Sequence, residues 1–257
     1  MQPTSKKIIL LGTSNPTTWI VYNHLIKEYG LFPAFIEKPV SRLKLLKNRV
    51  RKLGFFVVID QMAFILGLRP FINRRSRPRI KQICHAHGLE MTEPLTPSIQ
   101  PIESVNSESF RRQLAILNPD IIIVNGTRII GRKTLSATSA RIFNTHHGIT
   151  PTYRGAHGAY WALYKNDKEH AGVTVHLVDA GIDTGNIIGS AKIETSPDDS
   201  FATYPYLQTA AALPILNQAI DDIIEGKLRA KPISGNSAVW YHPGFSQYIR
   251  GWLRGVR

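Results

Sequence analysis

The sequence predicts an α/β fold, a Rossmann-like and mostly parallel sheet with helices on both faces. The chain begins with a strand at Lys7–Leu11, a helix at Thr17–Tyr29 and a strand at Leu31–Glu37, an order typical of a right-handed crossover between parallel strands. Further on, 120–125 contains the uninterrupted apolar run Ile-Ile-Ile-Val. Such a run is typical of a central parallel strand that is buried on both faces.

Composition limits the classes of protein to consider. Apolar residues make up 43% of the 257 residues, which is enough to bury a core and excludes a disordered chain. The single cysteine, Cys84, cannot form an internal disulfide or a zinc site, and the apolar run Ile8–Leu11 is too short for a signal peptide. We therefore expect a cytoplasmic protein without a metal.

Hydrophobic periodicity predicts the remaining elements in order. Thr17 or Thr18 is expected to cap the first helix, and Ser107 the helix that it begins. The other predicted helices are Arg79–Gly88, Ser107–Leu117, Gly158–Tyr164 and 201–225, and the other predicted strands are Glu90–Thr92, Ala140–Asn144, Gly172–Val178 and Ile187–Ile193. These elements predict one domain at 1–230 and a short tail at 231–257.

A basic insertion separates the second predicted strand from the rest of the sheet. The net charge is +14, and Lys38–Lys81 holds thirteen Lys and Arg against one acid, Asp60. Leucines occur among these charges at helical spacing, so we expect two inserted helices. The apolar stretch Leu53–Ile72 contains Gly67 and Pro70, which favours a buried or membrane-surface hairpin over a bilayer-spanning helix.

Polar side chains follow two of the predicted strands. Asn144 and His146 follow one, and Asp183 lies in the loop that follows another. An amide, an imidazole and a carboxylate can polarise a carbonyl, stabilise an oxyanion and move a proton. Each of these residues alone is more often a turn residue, so only the combination carries the prediction.

The stretch from Phe143 to Ile188 resembles the folate-dependent formyltransferase family, which includes methionyl-tRNA, glycinamide-ribonucleotide and sugar-nucleotide formyltransferases. The motifs, in order, are Asn144-x-His146, Tyr153-Arg154-Gly155, Trp161-Ala162-Leu163, Gly172-Val173-Thr174-Val175-His176 and Gly181-Ile182-Asp183-Thr184-Gly185. The first strand and the 120–126 strand also fit this family, whereas 38–81 and the residues after Lys231 lie outside it. The family often has Pro-Ser-Leu-Leu-Pro after the histidine, where this chain has His147-Gly148-Ile149-Thr150-Pro151.

The resemblance implies a role for each catalytic residue. Asn144 would donate to the formyl oxygen, His146 would stabilise the oxyanion or relay a proton, and Asp183 would orient His146 and help to deprotonate the attacking amine. The implied formyl donor is N10-formyltetrahydrofolate. Its predicted binding residues are Asn125, Gly126, Thr127, Ile129, Val178, Asp179 and Gly181.

The acceptor side is predicted less sharply. The candidate substrate-binding residues are His147, Tyr153, Arg154 and Gly155. Arg154 could grip a phosphate or pair with an acid, and His147 is interpreted as a surface neighbour of His146. Trp161 and His176 are interpreted as a core residue and as a buried, hydrogen-bonded histidine. The loop Gly12–Pro16 lacks the glycine pattern of a phosphate-binding loop, so a plain Rossmann-like turn is the default.

Several acceptors fit the family. The residues after Glu225 are too few for the family's tRNA-binding barrel, which argues against tRNA, and DNA is not expected. An amino sugar on a nucleotide is preferred, and hydroxyornithine, another small amine or hydrolysis of formyl-folate remain alternatives. The basic insertion fits peripheral membrane contact or a solvated face, and a homodimer is the commonest default assembly.

Overall fold

A seven-stranded sheet organises the molecule, and the helices cover both of its faces. The computed structural model describes residues 6–257, apart from the side chains of Arg42 and Lys44. The strand order is β3-β2-β1-β4-β5-β7-β8. The strands are β1 Ile8–Thr13, β2 Ala34–Glu37, β3 Ile99–Ile102, β4 Ile121–Asn125, β5 Arg141–His146, β6 Arg154–Gly155, β7 Gly172–Leu177, β8 Ile187–Lys192 and β9 Val239–Trp240.

The sheet is parallel from β3 to β5 and antiparallel beyond β5. This confirms the predicted mostly parallel α/β fold, and it adds an antiparallel edge formed by β7 and β8. The predicted strand at Glu90–Thr92 is wrong. The edge strand forms at Ile99–Ile102 instead, where it pairs with β2, because strand pairing rather than local composition decides which extended segment joins a sheet.

The helices include those that apolar spacing predicts, with differences at their ends, and two that it does not predict, Arg132–Leu135 and Phe245–Leu253. They are α1 Pro16–Tyr29, α2 Arg42–Leu53, α3 Phe55–Met62, α4 Arg69–Ala86, α5 Glu108–Leu117, α6 Arg132–Leu135, α7 Gly158–Tyr164, α8 Tyr204–Ile224 and α9 Phe245–Leu253. The cap of α1 is Asn15, whose side chain accepts from Thr18 N, so the predicted threonine cap is wrong. Ser107 caps α5 as predicted, accepting from Phe110 N.

The core has two parts, one on each face of the sheet. On one face, α1, α7 and α8 bury residues such as Tyr22, Tyr160 and Leu216. On the other face, Phe110 and Leu114 of α5 pack on Phe35 of β2 and its neighbours. Because both faces are covered, the functional groups of this sheet are confined to its strand ends and loops.

The inserted segment is helical, but it does not form a hairpin within 53–72. The chain turns between α2 and α3 at Gly54, whose φ of 88° is in the left-handed region that glycine tolerates. From Phe55 to Ala86 it continues as one long helix, in which a π-helical segment, Ala63–Leu68, joins α3 to α4. Pro70 comes just after the π-helical segment, and the helix continues past it.

The residues after Lys231 contribute to the same body. In β9, Val239 and Trp240 pair with β6, and Tyr248 of α9 packs on Phe64 of the π-helical segment and on Tyr160 of α7. The predicted tail therefore holds the inserted helix against the loop that follows β5.

Candidate active site

The carboxyl end of β5 meets β7 in antiparallel register. Asn144 lies opposite His176, and His146 lies opposite Thr174. After β7, the chain forms the loop that carries Asp183, whose φ of 50° is unusual for a residue with a side chain. This local backbone turns the Asp183 carboxylate toward the end of β5.

His146 and Asp183 form a buried pair. His146 Nδ1 lies 3.3 Å from Asp183 Oδ2, and the two side chains are 5% and 14% exposed. The second ring nitrogen, Nε2, lies 2.8 Å from the carbonyl oxygen of Tyr153. Gly148 makes this geometry possible, because a Cβ there would lie 2.2 Å from Tyr153 O and 2.9 Å from His146 Nε2.

The imidazole of His146 thus faces a hydrogen-bond acceptor on each side. A neutral imidazole carries one N–H and can satisfy only one acceptor. Burial lowers the pKa of His146 below its usual value, against the opposing effect of the Asp183 charge. When His146 is neutral, one of its two neighbouring acceptors receives no hydrogen bond from the ring. The His146–Asp183 pair can therefore take up one proton, as expected of a general base.

Asp183 is held as a carboxylate. Burial alone would raise its pKa, but contacts with His176, the charge of His146 and a bond from Gly155 N outweigh burial and lower the pKa to about 2. Gly155 N donates to Oδ2 over 3.0 Å. The carboxylate therefore stays charged and oriented at neutral pH.

Asn144 joins this pair through its amide. Its Nδ2 lies 3.3 Å from His176 Nε2 and 3.5 Å from Asp183 Oδ1. The amide has two donor hydrogens, and both of these contacts are long. Nδ2 can therefore turn to an oxygen in the adjoining cleft without leaving a strong hydrogen bond.

The prediction for His176 was incomplete. His176 is 3% exposed, and its Nδ1 lies 2.8 Å from Leu177 O, as expected of a satisfied buried histidine. It also lies 3.5 Å from Asp183 Oδ1 and beside Asn144. Only the antiparallel pairing of β5 with β7 brings it there, and the sequence reasoning did not predict that pairing.

An open cleft adjoins Asn144, His176 and Asp183. Its remaining lining residues are Val124, Thr127, Arg128, Ile129, Ile130, Val178, Asp179, Gly181 and Ile182. Five residues predicted to bind the folate donor lie on it: Thr127, Ile129, Val178, Asp179 and Gly181. The structure places the other two elsewhere, since the Asn125 amide points to Thr17 and Thr18, and Gly126 lies against Thr13 and Asn15.

The loop Gly12–Pro16 has a structural task in this arrangement. Asn15 caps α1 and also donates to Thr13 Oγ1 and Thr18 Oγ1. The structure therefore gives the first loop a role in supporting the cleft wall rather than in lining it.

Within the cleft itself, Arg128 is positioned by Glu37, whose Oε1 lies 2.7 Å from Arg128 Nε.

The residues predicted to bind the acceptor differ in which of their groups contact the candidate site. Tyr153 is buried, its hydroxyl donates to Asp167, and only its carbonyl faces His146. Gly155 contributes its N–H to Asp183. Arg154 donates from Nη1 to Ile182 O over 3.1 Å, and no carboxylate among the described residues pairs with it.

His147 is not the surface neighbour that was expected. It is half-buried and turns toward α8, with Nε2 lying 3.3 Å from Thr209 Oγ1. Burial lowers its pKa to about 4. His147 therefore acts as a neutral packing residue that fixes the backbone next to His146.

A second histidine pair lies close to this loop and was not predicted. His157 Nε2 lies 2.8 Å from His242 Nδ1, and burial lowers the pKa of both, to about 4 for His242. His157 adopts a left-handed backbone with φ of 59°. No local sequence signal pairs residues this far apart in the chain.

The interpretation of Trp161 as a core residue can now be compared with the structure. Trp161 is a buried packing residue whose Nε1 donates to Tyr241 O and whose ring stacks on Trp240. Among the described residues, no group of three or more His, Cys, Asp or Glu side chains is arranged as a metal site.

Comparison with known proteins finds similar sequences and similar folds. The formyl transferase family model matches residues 76–212. Methionyl-tRNA formyltransferase of Thermodesulfovibrio yellowstonii is 28% identical over 159 residues, which is 62% of this chain and 49% of that protein. The chain spans about half the length of the curated relatives it matches.

Solved structures share the fold at low sequence identity. A sugar N-formyltransferase from Shewanella sp FDAARGOS_354 superposes with a TM-score of 0.60 at 13% identity, over 97% of this chain and 87% of that one. An N-formyltransferase from Helicobacter canadensis superposes with a TM-score of 0.58 at 16% identity, over 98% and 80%. Because the family model covers more than half of the sequence, the chain belongs to the formyl transferase family.

Proposed function

We propose that this protein transfers a formyl group from N10-formyltetrahydrofolate to a primary amine. One observation carries the proposal: Asn144, His146 and Asp183 meet beside an open cleft, and the His146–Asp183 pair can accept one proton. An attacking amine must lose a proton, and the formyl oxygen must be stabilised as negative charge develops on it. The cluster supplies a group for each need.

The reaction follows from the positions of the three groups. A bound formyl oxygen beside Asn144 would receive a hydrogen bond from Nδ2. The amine proton would pass to the His146–Asp183 pair, where Asp183 stabilises the resulting imidazolium. His146 would then return this proton to the departing carrier nitrogen, because the pair must end the cycle as it began.

The cleft suits a folate donor by its chemistry. Ile129, Ile130 and Val178 give it an apolar wall, and Thr127 and Asp179 bring polar groups to its rim. A flat, apolar ring with polar edges needs both kinds of surface. Folinic acid is bound by the Helicobacter canadensis neighbour, and N10-formyltetrahydrofolate would supply the activated formyl group here.

For the acceptor, we infer an amino sugar carried on a nucleotide. Arg154 holds a positive charge near Asp183 without a partner carboxylate among the described residues, which suits an anionic acceptor such as a nucleoside diphosphate. The Helicobacter canadensis neighbour is in complex with dTDP-3-aminofucose, and its structure matches nearly the whole chain.

Methionyl-tRNA is a second candidate, because the curated relatives are named for it and reach 37% identity. Hydroxyornithine, other small amines and water remain weaker candidates. Water as the acceptor would release formate from formyl-folate without an amine. We also propose a cytoplasmic location, as the sequence led us to expect.

The direct test is a transfer assay on the purified chain. N10-formyltetrahydrofolate is mixed with dTDP-amino sugars, with methionyl-tRNA, with hydroxyornithine or with no acceptor, and release of tetrahydrofolate is followed together with the mass of the product. A formylated amino sugar supports the full proposal, and formylated methionyl-tRNA overturns the acceptor but keeps the chemistry. Formate released equally with and without acceptors identifies a hydrolase. No turnover and no binding of a stable donor analogue would overturn formyl transfer itself.

A further inference from the structure

The inserted helices leave a large apolar surface uncovered. In α2, none of the described side chains is buried, and Leu43 is 72% exposed. In the long helix, Phe56, Leu66 and Phe71 are 84%, 70% and 63% exposed, and Phe55, Val57 and Ile59 are also exposed. We call α2 together with the outward side of Phe55–Arg77 the docking face. Soluble monomers rarely leave so many large apolar side chains together in water.

The opposite side of the long helix is fixed to the protein. Val58, Phe64, Ile72, Ser76 and Ile83 are buried at helical spacing. Phe64 is fully buried between Phe201 and Tyr248. The exposed apolar residues therefore belong to a rigid, anchored helix rather than to an unpacked one.

The length of the helix does not make it a membrane span. Phe55–Ala86 is long and apolar enough to cross a bilayer, and 22% of its most apolar window is buried within the protein. Crossing would pull Phe64 and Ile72 out of the core and expose Gln61, which donates to His242 O. With one side bound to the domain, the helix can present only its other side to lipid, as an interfacial helix does.

The charge of the docking face points to an anionic partner. The insertion has thirteen Lys and Arg and one acid, Asp60, whose two carboxylate oxygens already accept from Ser246 N and Oγ. Among the described side chains of the insertion, only Lys38 and Arg79 form ion pairs. Arg74, Arg75 and Arg77 are exposed on α4, three to six residues after the exposed Phe71. Positive charge is therefore available to an external anion.

Apolar and basic side chains on the same surface distinguish lipid from nucleic acid. RNA is bound by basic residues and by aromatic rings that stack on bases, and it gains little from exposed leucines, valines and isoleucines. An anionic bilayer accepts aliphatic and aromatic side chains below its headgroups and attracts Lys and Arg at its surface. From this combination we propose that the docking face binds the surface of an anionic phospholipid bilayer.

The long helix that carries the docking face contacts residues near the candidate active site through its inner, buried side. Gln61 of α3 reaches His242, His242 contacts His157, and His157 lies two residues after Gly155, which holds Asp183. The proposal concerns binding alone and does not depend on the reaction.

The test is co-sedimentation of the purified full chain with vesicles of phosphatidylcholine, with and without phosphatidylglycerol. We expect binding to the phosphatidylglycerol vesicles that is stronger by about tenfold or more and that weakens as salt is raised. Absence of sedimentation with either vesicle would overturn the proposal. Equal binding to both vesicles would also overturn it, because the charge would then contribute nothing.

Two matched pairs of variants separate the contributions of apolar and basic residues. The variant Phe56→Ser/Phe71→Ser should lose vesicle binding by about tenfold or more, whereas Leu95→Ser/Ile116→Ser, exposed elsewhere, should bind normally. The variant Arg74→Gln/Arg75→Gln/Arg77→Gln should lose binding by about tenfold or more, and Arg132→Gln/Lys133→Gln/Arg141→Gln should not. Equal losses within a pair would mean that net charge or apolarity, rather than this face, drives binding, and would overturn the assignment.

A parallel titration with labelled tRNA covers the other anionic partner. We expect the affinity of the protein for tRNA to be the same in the variant Phe56→Ser/Phe71→Ser as in the wild type. Tight tRNA binding that is lost in the Arg74, Arg75 and Arg77 variant, together with no vesicle binding, would assign the face to RNA and overturn the bilayer proposal. Circular dichroism of each variant distinguishes lost docking from lost folding.

Discussion

Two aspartate–histidine pairs in this molecule invite comparison. In one, His170 Nδ1 lies 2.8 Å from Asp167 Oδ1, and both side chains are partly exposed. In the other, His146 Nδ1 lies 3.3 Å from Asp183 Oδ2, and both are nearly buried. The pair with the shorter contact lies away from the cleft, where Asp167 also accepts from Tyr153.

The difference shows that a short hydrogen bond does not by itself mark a catalytic pair. The Asp167–His170 pair is satisfied, since each group has a partner and the exposed ring can reach water. In the Asp183–His146 pair, one buried imidazole faces two acceptors, and Asn144 is bound only by long contacts. The pair with unmet hydrogen-bonding capacity, beside a cleft, is the one that we propose as catalytic.

The largest expected effect tests this comparison directly. Asp183→Asn should reduce kcat by about a thousandfold, because the imidazolium loses its stabilising charge and proton transfer fails. The matched Asp167→Asn should leave kcat within about threefold of the wild type. Steady-state formyl transfer by both variants provides the measurement, and equal losses would refute the distinction between the pairs.

Removing His146 should cost as much as removing Asp183. His146→Ala should also lower kcat by about a thousandfold, and the double variant with Asp183→Asn should be little worse, since the two residues act as one unit. A double-mutant cycle measures this coupling. Losses that simply multiply would show that the two residues act independently.

Asn144→Ala should lower kcat by about a hundredfold or more, with KM for the donor changed less. The reason is that its amide is expected to strengthen a bond to the formyl oxygen as charge develops. Separate determination of kcat and KM tests this. A raised KM with an unchanged kcat would make Asn144 a donor-binding residue instead.

A third carboxylate, that of Asp199, forms an ion pair for which we expect a structural role. Asp199 is buried and accepts from Arg79 over 2.9 and 3.1 Å, so this ion pair fastens α4 to the loop before α8. Arg79→Gln should lower the free energy of unfolding by about 3 kcal/mol, because it leaves a buried charge unpaired. The exposed Arg75→Gln should change it by less than about 0.5 kcal/mol, and urea denaturation of both variants makes the comparison.

The smallest predicted effect concerns pH. His147 and His242 have folded pKa values lowered to about 4 by burial, so the unfolded chain binds more protons below the ordinary histidine pKa of about 6.5. Stability should therefore be full above about pH 6.5 and fall toward about pH 4, by about 1 kcal/mol per pH unit for each group. Asp183, whose pKa is lowered to about 2, would contribute to a loss only at still lower pH.

A matched variant assigns this pH dependence. His242→Gln should reduce the slope of the unfolding free energy against pH by the contribution of about one titrating group. His170→Gln, a change at a partly exposed histidine, is the control. An unchanged slope in the His242 variant would place the titration elsewhere.

The sequence by itself determined the parts of this protein that depend on local patterns. Apolar runs and periodicity predicted β4 and α7, and Ser107 was predicted as the N-cap of α5. The ordered motifs identified the family and made Asn144, His146 and Asp183 the candidate catalytic residues. These signals are readable because each depends on residues that are close in the chain or on a fixed order of motifs.

Tertiary structure alone decided the rest. The antiparallel β5–β7 pairing placed His176 beside Asn144, and the π-helical segment continued the helix from Phe55 past Ile72, where a hairpin was expected. The pairing of His157 with His242 joins residues distant in the chain. Exposure of Phe56 and Phe71 follows from which side of the long helix packs on the core. Each of these outcomes depends on contacts between separate elements, whose energies no local pattern encodes.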